Sequence, residues 1–314
     1  MTAYIIRRLL QSVVLLFVVS VAVFSIVHLA PGGPAVLLNP DIDPKLAEQF
    51  AEQLGLNDPL PVQYGRWLKN VFQLNLGISL QHSVPTIDLL KDRFPASLLL
   101  AGTSLIVSTI AALSLGLLSA IRRHSVWDYL ATSIAFLGLS IPGFWLGIMM
   151  IIVFSVKLGW LPSSGMTSPE GGGLVDRLLH LIMPTLVLSS FALAQLTRYT
   201  RSAMVEVLSK DYLRTARAKG LAERAVLLRH ALKNALIPVV TVLGVMIPRL
   251  LGGAVITETV FAWPGMGRLA ATAAFTRDYP LVMAITMFVA VLVVLSNLLA
   301  DLCYGLLDPR ITFD

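Results

Sequence analysis

The chain has 314 residues, of which 56% are hydrophobic and only 13% are charged, and its mean hydropathy is +0.79. This composition excludes an ordinary soluble domain and indicates a polytopic membrane protein. The formal net charge of +6 does not favour nucleic-acid binding, because the basic residues cluster beside apolar stretches and in polar loops, as membrane orientation requires. The single cysteine, Cys303, excludes an internal disulfide and a thiolate metal cluster.

Six apolar stretches are long enough to cross about 30 Å of hydrocarbon, which takes about 20 residues of helix. They are residues 9–30, 96–121, 130–156, 178–197, 235–255 and 281–302. The first stretch follows Arg7 and Arg8, but it is too long for a cleaved leader and no small-residue cleavage pattern follows it, so we interpret it as a retained anchor. The sequence therefore predicts an all-α protein with six transmembrane helices.

The polar segment 31–95, between the first two stretches, has helical patterning of its own. Asp43 before Pro44 is a typical helix start, and apolar residues recur at helical spacing after it. Residues 64–72 and 87–94 also carry apolar side chains on one face. We predict a small helical domain on the outer surface. The predicted division of the chain is a first segment and helix (1–30), this helical insert (31–95) and a five-helix membrane core (96–314).

The distribution of Lys and Arg sets the predicted orientation. With the amino terminus in the cytosol, the segments predicted to be cytosolic carry 14 Lys and Arg, whereas the outer segments carry 9 over considerably more residues. Most of this excess lies in the loop 198–234, which has nine basic and three acidic residues. We therefore predict that this loop faces the cytosol and that both termini lie on the same side.

The loop 198–234 has the pattern helix, glycine, helix. Residues 211–219 have helical composition, Gly220 interrupts them, and residues 221–235 resume the helix before Pro238. The second run has one apolar stripe, formed by Leu221, Ala225, Leu228 and Leu232. A short basic helix turned by a glycine suits a lever that contacts a cytosolic partner. The alternative is a basic surface helix that rests on anionic lipid.

The sequence lacks the motifs of several other functions. It contains no G-x-x-x-x-G-K-[ST] phosphate loop, no H-E-x-x-H and no G-x-S-x-G, so we assign no ATP hydrolysis, no metal ligands and no catalytic residues. The ionisable residues inside or beside the apolar stretches are Arg249, Glu258 and Asp301, and none of the acidic ones lies near a midplane. Ion-coupled carriers generally need such a buried acid.

Two features are candidates for a translocation pathway or its gate. Arg249 lies well inside an apolar stretch, where an isolated charge costs about 2.5–3.5 kcal/mol, so its side chain is predicted to line a water-filled pathway or to be satisfied by backbone carbonyls. The connection that starts at Glu258 contains Trp263, Pro264 and Gly265. These residues predict either a short turn beside the pore mouth or an interfacial tryptophan anchor.

Motifs at several separated places resemble one transporter family. The run 211–220, Asp-Tyr-Leu-Arg-Thr-Ala-Arg-Ala-Lys-Gly, is followed by Leu236, Ile237 and Pro238. It looks like the EAA loop of permease subunits in binding-protein-dependent ABC importers, in the form found in the dipeptide, oligopeptide and nickel branch. Other segments resemble the first permease subunit of that branch. They are residues 4–8, 54–60, 158–162, 258–268, 278–280 and 308–310. Departures from the family pattern occur at Gly33 and Asn75.

The resemblance implies a type I importer fold, with six spans and an outer domain after the first. It implies a pore-forming, non-enzymatic subunit that moves di- or oligopeptides or related small solutes across a bacterial or archaeal plasma (inner) membrane into the cytosol. The implied partners are a second homologous permease, two cytosolic ATPase subunits that bind ATP and Mg²⁺, and an extracytoplasmic solute-binding protein, while no cofactor belongs to this chain. The alternative is an ion-gradient-driven secondary carrier, which would transport without ATPase chains.

The resemblance also assigns the loop around Gly220 to the contact with an ATPase subunit. The implied coupling residues are Arg214, Thr215, Ala216, Arg217, Lys219 and Gly220. Arg214, Arg217 and Lys219 are expected to make polar contacts with the ATPase, and Ala216 and Gly220 are expected to permit close approach. The substrate stays open at this point among dipeptides, oligopeptides, glutathione-like peptides and nickel complexes.

Overall fold

The computed structural model describes the backbone of residues 2–29 and 57–307, and the side chains of residues 6–29, 57–246 and 254–298. The predicted helix after Asp43 lies outside the described residues. Within them every regular element is a helix, as predicted, and one isolated bridge joins Ile78 and Pro85. The helices are α1 (Thr2–Leu29), α2 (Leu60–Phe72), α3 (Thr86–Ile121), α4 (Val126–Ser140), α5 (Gly143–Met150), α6 (Leu174–Leu208), α7 (Asp211–Ala218), α8 (Glu223–Ala225), α9 (Lys233–Val260), α10 (Met266–Phe275) and α11 (Tyr279–Leu307). Two π-helical segments, Ile151–Lys157 and Val226–Leu232, extend α5 and join α8 to α9.

Among the described residues, five helical segments are long and apolar enough to cross a membrane. They are Ile6–Leu29, Thr86–Ile121, Leu174–Leu208, Glu223–Met246 and Tyr279–Leu298. Helix α4 passes the same test together with α5 and its π-helical extension, although the two legs are bent by 104°. Counting this pair as one span gives six, which confirms the six predicted stretches.

The break between α4 and α5 is a correction to the uninterrupted stretch 130–156. Ile141 (φ −86°, ψ 121°) and Pro142 (φ −60°, ψ 132°) both have extended backbone, so α4 ends at Ser140 and α5 begins at Gly143. Proline has no N–H to donate and its ring disfavours helical geometry in the residue before it. The length and hydropathy of the stretch were therefore predicted, but not its division into two legs.

The first compact unit contains the described residues 2–29, 57–97 and 264–295. In it, helix α2 packs on α1 through aromatic rings, since the ring centroid of Phe24 lies 5.3 Å from that of Tyr64 and 5.9 Å from that of Trp67. The Tyr64 hydroxyl also forms a 2.8 Å hydrogen bond with the Ser20 hydroxyl. The predicted amphipathic run 64–72 is therefore confirmed as a helix. Tyr64 and Trp67 of its apolar face pack on the first membrane helix, whereas Phe72 is 81% exposed.

The third predicted run, 87–94, forms the first turns of α3 and continues without a break into the second predicted span. Leu90 is 1% exposed and lies in a buried cluster with Leu269 of α10 and Leu281 of α11. The core of the first unit is therefore built by the amino-terminal turns of α3 and the two helices 266–275 and 279–307.

A buried carboxylate fixes the start of α11 in the first unit. Asp278 is 1% exposed and accepts hydrogen bonds from the Ser79 hydroxyl (2.5 Å), the Gln81 N–H (3.2 Å) and the Leu281 N–H (3.2 Å). The last bond caps the first turn of α11, while the other two anchor the turn that precedes α3. The motif at residues 278–280 therefore joins two parts of the unit that are distant in sequence.

The second compact unit contains residues 98–263 and the carboxy-terminal part of α11. Helix α6 is its central element and packs against α4, α5 and α9. Two glycines allow close helix contact: a Cβ at Gly116 would lie 2.6 Å from the Thr200 Cβ, and a Cβ at Gly138 would lie 2.9 Å from the Ser190 carbonyl oxygen. Helices α3 and α4 therefore approach α6 more closely than any side chain would permit.

We expect Gly116→Ala and Gly138→Ala to lower the thermal stability of the purified chain in detergent, because each added methyl group meets an atom that must move. Gly102→Ala, also in α3, is the matched control because a Cβ there meets no atom within 4 Å. Alanine is favoured over glycine inside a helix by about 0.5–1 kcal/mol, so this control should keep or raise the melting temperature. Equal melting temperatures for all three variants would contradict the close packing.

Candidate functional site

Helix α7 buries one face against the rest of the second unit. Leu213 and Ala216 are 0% and 8% exposed and lie in a cluster with Met204 of α6 and with Val226 and Ala231 of the π-helical segment. The small side chain of Ala216 therefore serves packing within this chain. Its role in the approach of a partner stays a prediction.

The opposite face of α7 is exposed and basic. The Arg214 side chain is 78% exposed, with its guanidinium 3.6 Å from the Asp211 carboxylate one turn earlier, and Thr215 and Lys219 are also exposed. An exposed ion pair of this kind contributes about 0–1 kcal/mol, so it holds Arg214 only weakly. Of the predicted coupling residues, Arg214, Thr215 and Lys219 thus have exposed side chains, and their contact with a partner stays a prediction.

Gly220 forms the turn at the end of α7. Its φ is +77°, its N–H donates to the Arg217 carbonyl (2.9 Å), and the Leu221 N–H donates to the Ala216 carbonyl (3.3 Å). These two bonds are the Schellman motif, in which the residue after the helix cap adopts the left-handed conformation that favours glycine. The predicted interruption at Gly220 is confirmed. A Cβ here meets no atom within 4 Å, so only the backbone conformation of this chain requires glycine.

A bidentate ion pair crosses this turn. The Arg217 Nε and Nη2 donate to the two Glu223 carboxylate oxygens at 3.0 and 2.8 Å, and this partner raises the pKa of Arg217. The Asn234 side chain donates to the Tyr212 hydroxyl (3.0 Å), which links α7 to the start of α9. The guanidinium of Arg217 is therefore engaged within the chain, where it braces the turn at Gly220.

The apolar stripe predicted for residues 221–232 is not the face that is buried. Leu221 and Leu228 are 43% and 46% exposed, whereas Val226 and Ala231 are each 0% exposed. The reason is that residues 226–232 form a π-helix, whose i→i+5 hydrogen bonds bring 226 and 231 close to the same side. A pattern with α-helical spacing could not identify this face.

The predicted gate segment begins where α9 ends, and its backbone repeats the motif found at Gly220. The Trp263 N–H donates to the Glu258 carbonyl (2.8 Å) and the Ala262 N–H donates to the Thr259 carbonyl (3.3 Å). Ala262 takes the left-handed position, with φ +50°, although it is not a glycine. The chain direction after α9 is therefore fixed by main-chain hydrogen bonds.

The side chains of this segment are buried. Glu258 and Trp263 are each 0% exposed, Pro264 is half-buried, and Gly265 is the extended residue that precedes α10. Trp263 is thus enclosed by protein, which excludes the alternative of an interfacial anchor. Arg249 lies in the helical backbone of α9, but its side chain is outside the described residues, so its pathway role stays a prediction.

A cavity of about 640 Å³ lies beside the break between α4 and α5 in the second unit. Its walls are mainly apolar and include Ile141, Pro142 and Phe144, with Ser190 and Thr257 among its polar residues. No pattern considered above predicted this cavity. The signal was present in Ser140-Ile141-Pro142-Gly143, a turn signature within an apolar stretch.

Comparison with known proteins identifies the family. The family described as "Binding-protein-dependent transport system inner membrane component" matches residues 112–313, and the family that describes the amino-terminal part of such membrane components matches residues 1–101. The two matches together cover nearly the whole chain.

Named relatives match along their full length. The chain is 47% identical over 319 residues to the oligopeptide transport system permease protein AppB of Bacillus subtilis, covering 100% of both chains. It is 43% identical over 316 residues to a putative peptide permease protein of Brucella suis, covering 99% of both. It is 41% identical over 314 residues to the glutathione transport system permease protein GsiC of Escherichia coli K12, again covering 100% of both.

Solved structures share the fold. A structure of the MetNI methionine ABC transporter matches with a TM-score of 0.56 at 18% identity, covering 71% of this chain and 97% of that chain. A crystal structure of an amino acid ABC transporter with histidines matches with a TM-score of 0.52 at 14% identity, covering 72% and 95%. The chain is a multi-pass membrane protein that belongs to the family of binding-protein-dependent transport system inner membrane components, the pore-forming permease subunits of ABC importers.

Proposed function

We propose that this chain is the first permease subunit of a peptide importer, which moves di- or oligopeptides from an extracytoplasmic binding protein into the cytosol. The observation that carries the proposal is its full-length similarity to permeases named for oligopeptide, peptide and glutathione transport. Glutathione is itself a short peptide, so these names share one substrate class. Differences in peptide length and side chains are then selected mainly by the binding protein.

The proposed complex contains a second homologous permease, two cytosolic ATPase subunits and one extracytoplasmic solute-binding protein. The ATPase subunits bind ATP and Mg²⁺, since the sequence of this chain has no phosphate loop, and no cofactor is assigned to this chain. The assembly lies in a bacterial or archaeal plasma membrane. The excess of Lys and Arg in segments 1–8 and 198–234 supports cytosolic termini and a cytosolic α7.

In this proposal α7 is the coupling helix. ATP binding closes the two ATPase subunits, and the exposed face formed by Arg214, Thr215 and Lys219 moves with the subunit it contacts. The buried face of α7 passes this displacement to the ends of α6 and α9, because Leu213 is fully buried in the cluster with Met204 and Ala235, and buried side chains are close-packed. Packed helices switch between discrete arrangements, so a small displacement is sufficient to exchange two states.

The cavity beside Ile141 and Pro142 is our candidate for the wall of the pathway. A break in a membrane helix leaves backbone N–H and C=O groups without helical partners, and such groups are tolerated only inside protein or beside a water-filled cavity. The mainly apolar wall with a few hydroxyl residues suits peptides whose side chains vary. Arg249 stays a further pathway candidate.

We propose that the segment from Glu258 to Gly265 supports the gate by fixing the course of the backbone there. Because Glu258 and Trp263 are fully buried, they hold the turn that ends α9 and do not contact the substrate. Pro264 and Gly265 precede α10, and Gly265 has extended backbone.

The proposed function is tested by reconstitution in liposomes with the second permease, the ATPase subunits and the binding protein. We expect uptake of a radiolabelled dipeptide that requires ATP and stops when any one subunit, including this chain, is left out. A labelled sugar serves as the control solute and is not taken up. Uptake by this chain alone, driven by a proton or sodium gradient without ATPase subunits, would contradict the proposal and indicate a secondary carrier.

Two variants at Gly220 separate backbone strain from contact with the ATPase. Gly220→Ala and Gly220→Trp both place a Cβ on a residue with φ +77°, and only Gly220→Trp adds bulk beyond the Cβ. We expect Gly220→Trp to lower the peptide imported per ATP hydrolysed on the order of tenfold relative to Gly220→Ala, a typical size for coupling between sites. Equal ratios in both variants, with normal assembly, would remove Gly220 from the contact.

A further inference from the structure

A buried carboxylate in the second unit joins three parts of the chain. Asp128, in the first turn of α4, is 4% exposed. Its Oδ1 accepts a 2.5 Å hydrogen bond from the Ser119 hydroxyl of α3, and its Oδ2 accepts a 3.0 Å hydrogen bond from the His124 N–H in the turn between α3 and α4. Asp128 therefore holds the α3–α4 turn together.

The third part of the chain that contacts Asp128 is α6, through the side chain of Arg201. The Arg201 Nε donates to Oδ1 at 2.8 Å and its Nη2 donates to Oδ2 at 2.9 Å, so the guanidinium and the carboxylate meet edge to edge. The same Nε lies 3.0 Å from the Ser119 hydroxyl. The two side chains are 31% and 6% exposed, so the pair is partly screened at Arg201 and enclosed at Asp128. Bidentate geometry gives this contact a fixed orientation as well as energy.

The position of Arg201 connects this pair to α7. Arg201 lies two turns before the end of α6 at Leu208, and α7 begins at Asp211. Between them, Met204 packs in the same buried cluster as Leu213 of α7 and Ala120 at the end of α3. The ion pair and this cluster thus lie next to each other along α6.

Separating the Arg201–Asp128 ion pair is energetically unfavourable because Asp128 is enclosed by protein. Moving Arg201 away leaves the enclosed charge of Asp128 without its ion-pair partner, which is destabilising. Asp128 would lose its charged partner and retain only neutral donors, Ser119 and the His124 N–H. Within one transport cycle, the α3–α4 turn and the end of α6 are therefore expected to move together.

We propose that Asp128 and Arg201 are positioning residues that carry the movement of α7 to helix α4, and through α4 to the break at Ile141–Pro142. This inference rests on the proposed function, because it assumes that α7 is displaced by an ATPase subunit. The route runs from α7 to the end of α6, across the Arg201–Asp128 pair to the first turn of α4, and along α4 to its end at Ser140. The sequence patterns did not indicate a role for Asp128 or Arg201.

The test replaces the pair by apolar residues of similar size, Asp128→Leu/Arg201→Met, in the reconstituted complex. Such a replacement leaves no unpaired buried charge, so assembly is expected at the parental level. We expect the double variant to retain ATP hydrolysis stimulated by the loaded binding protein, but to import on the order of tenfold less peptide per ATP hydrolysed. Arg201→Lys keeps the charge and loses the bidentate geometry, and it is expected to retain part of the coupling.

The matched control is Glu206→Gln/Lys210→Gln, which removes an exposed ion pair at the same end of α6. The Lys210 Nζ lies 3.0 Å from the Glu206 carboxylate, and this pair joins residues only one turn apart. The control is expected to keep the parental ratio of import to hydrolysis. A double variant of Asp128 and Arg201 that assembles and keeps the parental ratio would overturn the proposal, because the pair would then serve stability alone.

A distance measurement covers the case in which the double variant does not assemble. Spin labels at Tyr129→Cys on α4 and Ser202→Cys on α6, both exposed positions, are introduced in a Cys303→Ser background of the otherwise parental complex. The proposal expects the same label separation with and without bound ATP, and a change of separation would overturn it. The parental complex is first shown to import peptide. If it does not, the proposed function is wrong, and that outcome is distinct from a change in label separation.

Discussion

The packing of the buried face of α7 is the interaction on which the proposed coupling to an ATPase subunit depends. A helix of eight residues is too short to be stable alone in water, so its position comes from packing. Leu213 is fully enclosed by the ends of α6 and the π-helical segment before α9. The left-handed turn at Gly220 then reverses the chain, and the Arg217–Glu223 pair braces that turn. A segment of otherwise exposed polar residues is thereby held against the end of α6 and the π-helical segment.

The second unit contains both fixed contacts and breaks in the helical backbone. The contacts are the α7 cluster, the Arg201–Asp128 pair and the glycine-mediated approach of α3 and α4 to α6. The breaks are the 104° bend after Ser140 and the π-helical segment Ile151–Lys157. Regions held by buried contacts move as units, so conformational change concentrates where the helical hydrogen-bond pattern is already interrupted. This arrangement suits a protein that must transmit a displacement over the length of a membrane helix.

The sequence predicted the features that depend on length or on a single residue's backbone preference. Apolar stretches of about 20 residues gave the spans, and Gly220 was identified as a helix end because few other residues adopt positive φ without cost. It could not predict the π-helical spacing that buries Val226, since an α-helical repeat was assumed. It also missed the Asp128–Arg201 pair, whose members are 73 residues apart and joined only by the fold. The burial of Trp263 likewise depends on packing that no local pattern records.

The most direct test of the central claim is a cross-linking measurement on α7. A photo-reactive benzophenone amino acid at Thr215, which is exposed, is placed in the assembled complex and activated with light. The account predicts a covalent adduct with an ATPase subunit from Thr215, and none with that subunit from the control position Phe275, which is 89% exposed and lies in the segment predicted to face outward. A complex that assembles and imports peptide normally, yet gives no ATPase adduct from Thr215, would contradict the role of α7 as the coupling helix.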